Sequence, residues 1–92
     1  MSSDKLMSLS ILTPEKTLYQ GKIQKITVPG EKSPFQVLYN HAPILSTLTA
    51  GKVVCTDEKD KEHTFLLKSG IVEVVNNEVT ITADIENEKT VV

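Results

Sequence analysis

Four prolines and four glycines divide this chain into segments too short to build a helical core. The cuts fall at Pro14, Gly21, Pro29-Gly30, Pro34, Pro43, Gly51 and Gly70. β-Branched and aromatic residues fill the intervals, and alanine occurs only at 42, 50 and 83. Such spacing predicts short strands joined by turns, the pattern of a sandwich or barrel. Two segments alternate cleanly. Met7, Leu9 and Ile11 share one face, with Ser8 and Ser10 on the other. Val79, Ile81 and Ala83 alternate with Thr80 and Thr82. Both are period-2 patterns with one buried face.

Further strands are expected at 23–28, 35–38, 44–48, 52–56, 63–68 and 71–75, with a short one at 17–19. The charged run 57–61 reads as a solvated hairpin tip, and Asn76-Asn77 as a two-residue turn whose asparagines tolerate positive φ. The fold class is therefore all-β: a single flattened sandwich or barrel of about nine to ten short strands. Residues 1–5 read as a flexible start, 6–84 as the β-domain and 85–92 as a short polar tail. That tail falls below the ~12–15 residues an isolated helix needs, so no C-terminal helical hairpin is expected.

At 92 residues the chain fits one domain, with no room for an inserted catalytic lobe. No apolar run approaches the ~18–20 residues of a membrane helix, so membrane association is expected only through a partner. The N-terminus does not read as a secretory signal, because Ser8 and Ser10 interrupt its apolar residues and Thr13-Pro14-Glu15 follows. Cys55 is the only cysteine, which removes any internal disulfide and suits a reducing cytoplasm. The net charge is −2 with lysines and acids interleaved, a poor match for nucleic acid.

Signatures of catalysis are missing from the sequence. It holds no G-x-x-x-x-G-K-[ST] loop, no G-x-G-x-x-G and no G-x-S-x-G. His41, His63 and Cys55 stand at no metal-ligand spacing. No catalytic residue, metal or cofactor is expected. His63 lies in phase with Phe65 and Leu67 and reads as a half-buried, hydrogen-bonded strand residue. Cys55 lies in phase with Val53 and reads as a small core residue. His41 sits in the polar turn Tyr39-Asn40-His41-Ala42-Pro43, where an exposed histidine beside a tyrosine is an interface candidate.

Five segments in order resemble the epsilon subunit of F-type ATP synthases, called delta in mitochondria. TPEKTLYQG at 13–21 is similar to that family's T-P-E…[YF]-x-G opening. ITVPG at 26–30 is similar to its strand ending in proline-glycine, and FQVLYNHAPIL at 35–45 to its histidine-alanine-proline stretch. SGIVEV at 69–74 and the run 77–84 resemble its closing hairpin. The likeness runs from about residue 6 to 84 without a large gap. Pro34, Gln36 and Tyr39-Asn40 depart from the glycines and proline-glycine usual in the family.

The resemblance implies a non-catalytic subunit of the central rotor, linking the gamma shaft to the membrane c ring at the cytoplasmic face of a bacterial inner membrane. It implies that loops 30–34 and 39–43 face the ring, with Glu31, Lys32, Tyr39 and His41 as contacts. The two loops are expected side by side at one end of the sandwich. Family members usually continue into a helical hairpin that brakes ATP hydrolysis. The tail 85–92 is too short for it, so no such brake is expected. Two other readings compete. A lipoyl- or biotinyl-type carrier would present Lys59 or Lys61 at a hairpin tip. A small β-sandwich hydrolase would use His41 or His63 as base.

Overall fold

The computed structural model describes residues 5–85. The readings of a flexible start and of a polar tail lie outside the described residues, apart from Lys5 and Ile85 at their borders. Eight strands and no helix make up the described part. They are β1 (Met7–Leu12), β2 (Thr17–Val28), β3 (Phe35–Leu38), β4 (Ile44–Leu48), β5 (Gly51–Asp57), β6 (Glu62–Leu67), β7 (Ser69–Val75) and β8 (Glu78–Asp84).

The expectation of nine or ten strands falls to eight because 17–19 and 23–28 are one strand. Gly21 does not break it. Gly21 pairs with Leu9, and the Tyr19 ring folds over the space its missing side chain leaves, with the hydroxyl 3.3 Å from where a Cβ would stand.

The strands form one curled sheet in the order β4-β7-β8-β1-β2-β5-β6, with β3 also on β2. β1 and β8 pair in parallel and the other ladders are antiparallel. β2 is the corner. Its first half pairs with β1, and its second half lies between β5 and β3. A register shift between Ile23 and Lys25 makes Gln24 an extra residue in the ladder with β5. The buried positions then change parity, from Ile23 to Ile26 and Val28. A bulge of this kind bends a strand and increases its twist, which folds one half of the sheet over the other.

The curl closes where β2 and β4 end. Gly30 bridges Leu48, and the Thr49 amide donates to the Pro29 carbonyl (2.9 Å). Inside lie Met7, Leu9, Ile11, Ile23, Ile26, Ile81 and smaller aliphatics, and no polar or charged residue among the described ones is buried. Cys55 is buried with them, as its phase with Val53 predicts. The Asn76-Asn77 turn has φ values of 51° and 63°, the paired positive dihedrals of a tight hairpin turn.

Candidate functional site

Loops 30–34 and 39–43 flank β3 rather than each other. The first enters β3 at Phe35, and the second leaves it after Leu38. Four strand residues therefore separate residues 34 and 39 by roughly 16 Å of extended chain. The expectation that they lie side by side at one end of the sandwich is corrected. They stand instead at the two ends of an edge strand, since among the described residues β3 pairs only with β2. The sequence motif conceals this because β3 is so short that both loops read as one punctuated stretch.

Each loop is anchored to the opposite half of the sheet. In the first, Glu31 Oε1 accepts a hydrogen bond from Thr47 Oγ1 of β4 (2.8 Å). Glu31 and Lys32 are both exposed, beside a shallow cleft shared with Phe35 and Ser46. In the second, Asn40 takes φ 68°. Its amide donates to Asn77 Oδ1 (2.6 Å), and Asn77 Nδ2 returns a bond to Asn40 Oδ1 (3.3 Å). This asparagine clasp ties the loop to the β7–β8 turn. Sequence reasoning missed it, because side chains 37 positions apart carry no local signal of pairing.

Tyr39 is exposed and His41 half-exposed. The His41 ring is held against its own loop, with Nδ1 donating to the Ala42 carbonyl oxygen (2.8 Å). The four expected residues thus fall into two pairs, Glu31 with Lys32 and Tyr39 with His41, one pair at each end of β3. The loops bring together no nucleophile and base.

The second polar cluster lies across the sheet, at the β5–β6 hairpin. Asp57 Oδ1 accepts from the amides of Lys59 (2.8 Å) and Lys61 (2.9 Å). Its Oδ2 lies 2.9 Å from His63 Nε2. Gln24, the bulged residue of β2, donates from Nε2 to the Asp57 carbonyl oxygen (2.9 Å) and to Asp60 Oδ1 (2.7 Å). Tyr19 stacks at a tilt on His63, ring centroids 5.1 Å apart, and meets Phe65 edge-on at 5.7 Å. His63 is the half-buried, hydrogen-bonded strand residue its phase implies.

The cluster's electrostatics are those of a structural clamp. The hydrogen bond from His63, then that from the Lys61 amide, hold the Asp57 carboxyl down from 3.8 to about 2. Burial, with Asp57 adding, pushes the Cys55 thiol up to about 11, so it stays protonated at neutral pH. A protonated, buried thiol is a poor nucleophile. Among the described residues, no group of three or more His, Cys, Asp or Glu is placed to hold a metal ion.

Because Asp57's folded pKa lies below its ordinary value, its contribution is full above about pH 4. It is lost as pH falls toward 2. Asp57→Asn is expected to be less stable than the parent at neutral pH, with the gap narrowing between pH 4 and pH 2. Urea melts across that window check it. A constant gap would mean the carboxylate charge contributes nothing.

The fold and these loops define a small all-β domain whose described polar side chains serve turns and clasps. Comparison with known proteins gives the family. A family model described as "ATP synthase, Delta/Epsilon chain, beta-sandwich domain" matches residues 6–87. The chain belongs to that family, the one its motifs resemble.

The ATP synthase epsilon chain of Chlorobaculum tepidum is 39% identical over 83 residues, spanning 90% of this chain and 94% of that one. That of Chlorobium limicola is 35% identical over 85 residues, spanning 91% and 97%. The epsilon chain of a Helicobacter pylori strain is 37% identical over 79 residues, but the match covers only 63% of it. Among solved structures, a chain of the Euglena gracilis mitochondrial ATP synthase superposes with a TM-score of 0.81 at 19% identity, over 95% of this chain and 60% of that one. A chain of the Tetrahymena thermophila mitochondrial enzyme gives 0.72 at 21%, over 85% and 63%. At such identities these two likenesses establish the fold.

Proposed function

We propose that this chain is an epsilon-type subunit of a rotary ATP synthase, joining the gamma shaft to the c ring in the central rotor. The observation that carries the reading is the family match over residues 6–87, which takes in every strand of the fold. The epsilon chains of Chlorobaculum and Chlorobium, matched over nearly their whole length, support it. On this reading catalysis belongs to other subunits, and the chain works at the cytoplasmic face of the membrane through the complex. The carrier and hydrolase alternatives find no support in the hairpin tip or in either histidine. The tip is organised around Asp57, while His63 pairs with that carboxylate and His41 with its own loop.

An adaptor that transmits torque needs a stiff body, and a curled sheet around a fully apolar core supplies it. We place the ring contacts at both ends of β3: Glu31 and Lys32 at one, Tyr39 and His41 at the other. Loops anchored by Glu31–Thr47 and Asn40–Asn77 hold these side chains on the body rather than on free tethers.

Reconstituting the synthase without this chain is expected to lower proton pumping per ATP hydrolysed, and adding it back to restore the ratio. Cysteines at Glu31 and at His41 should each crosslink to c subunits in the assembled enzyme. Crosslinks formed only with the alpha–beta hexamer would overturn the placement, and unchanged coupling would overturn the function.

A further inference from the structure

The strand path ends at β4 and β6, and β3 adds a third edge beside β2. Two of these edges are short or covered. β3 has four residues. β4 is capped by the chain that follows β2, through the Gly30–Leu48 bridge, the bond from the Thr49 amide to the Pro29 carbonyl and the bond from Thr47 to Glu31. β6 is six residues long, and among the described residues it pairs only with β5. No lysine, proline or bulge interrupts it, and those are the usual guards of an edge.

The ladder with β5 fixes which backbone groups of β6 are free. The Asp57 amide donates to the Lys61 carbonyl (2.8 Å), so these two residues form a hydrogen-bonded pair. Such pairs recur at every second residue, which makes Cys55–His63, Val53–Phe65 and Gly51–Leu67 the others. Glu62, Thr64 and Leu66 therefore turn their N–H and C=O groups to the open side. Their side chains are exposed too, Leu66 at 55%. Lys68, also exposed, follows one residue past the end of the strand. Among the described residues, neither the Glu62 nor the Lys68 side chain has a hydrogen bond or ion pair.

We infer that the β6 edge is a self-association site, where a second copy of this chain adds its own β6 in antiparallel register, Glu62 of each copy opposite Lys68 of the other. Charge complementarity selects both the occupant and the register. A two-fold pair presents the edge to itself, so its charges must complement their own reverse. Glu62 at one end and Lys68 at the other do so, and opposite charges directly across two strands stabilise them. That register also sets Thr64 opposite Leu66, twice by symmetry. Their free backbone groups then exchange four hydrogen bonds. The two Leu66 side chains stand on a diagonal across the axis, within reach of one another. A slip of two residues either way parts both ion pairs. The association uses up both β6 edges and stops at two copies, which shields the free chain from open-ended strand addition. It concerns the chain by itself and does not rest on the rotor reading. Six residues of edge bury less than the roughly 1,200 Å² of a stable interface, so the dimer is weak and concentration-dependent.

Sedimentation equilibrium of the full chain up to about 1 mM tests it, with folding of every variant checked by urea melts. The mass is expected to rise from monomer to dimer and no further. Thr64→Pro removes an N–H that only the dimer uses, and should weaken association about tenfold or more. Glu62→Lys alone and Lys68→Glu alone set like charges across the axis and should each weaken it about tenfold. The double variant Glu62→Lys, Lys68→Glu restores opposite charges and should recover the parent affinity. These exposed positions keep the test open should Thr64→Pro unfold the domain. Leu45→Lys, at a 75% exposed leucine on the β4 edge, should leave association unchanged. A chain that stays monomeric at about 1 mM would overturn the inference. So would a dimer that a folded Thr64→Pro leaves intact, that the double variant fails to restore, or that Leu45→Lys disrupts instead.

Discussion

Leu9→Ala is expected to destabilise the domain by about 2–5 kcal/mol. Leu9 is fully buried on β1, which lies mid-sheet between β8 and β2. Its cross-strand partners are Val79 on one side and Gly21 on the other. A glycine has no side chain to lean into the cavity. Tyr19, which covers Gly21, is held by its ring contacts with His63 and Phe65. The hole therefore collapses poorly, which places the cost toward the upper part of that range. Domains of this size have total stabilities of about 5–15 kcal/mol, so the loss is a large share of the whole. Urea unfolding should show a lowered midpoint with an unchanged slope. A loss under about 1 kcal/mol would mean that β1 is not the centre of the core.

Gly30→Ala is expected to cost about 1–3 kcal/mol, although it adds one methyl group. The new Cβ would stand 2.6 Å from the Ser33 carbonyl oxygen and 2.8 Å from Phe35 Cδ1. The first obstacle is backbone and cannot rotate away. The second is the ring that begins β3. Gly30 also bridges Leu48, so a shift there loosens the seam that closes the sheet. For a domain of 60–100 residues each kcal/mol lowers Tm by about 4–8 °C, so calorimetry reads the effect directly. The same shift should displace Glu31 from Thr47 and reduce the yield of crosslinks from position 31 more than from position 41. An unchanged Tm would show that the 30–34 loop yields freely. It would then be a poor anchor for a torque-bearing contact.

Much of this fold was legible before any coordinates. The alternation in β1 and β8 named six buried residues, Met7, Leu9, Ile11, Val79, Ile81 and Ala83, and all six are in the core. The asparagine turn at 76–77, the hairpin tip at 57–61 and the buried Cys55 also follow from spacing alone. Each is a local property, since side-chain parity and turn dihedrals depend on residues a few positions apart.

The errors lie where local rules end. Gly21 reads as a break, yet the pairing of β2 with β1 continues through it. That continuity depends on a partner strand and on a tyrosine ring, which no window around Gly21 contains. The loops at 30–34 and 39–43 read as neighbours, yet β3 separates them.

The sequence by itself determined the class of fold, the inward sets of β1 and β8 and the family, because strand parity and motif order are written along the chain. Only the tertiary structure decided how the strands meet. The Gln24 bulge changes which β2 residues point inward, and the Asn40–Asn77 clasp joins distant turns. The sheet order leaves β6 on an open edge, because β7 parts from it to pair with β4, and that pairing is a contact between distant segments that periodicity does not encode.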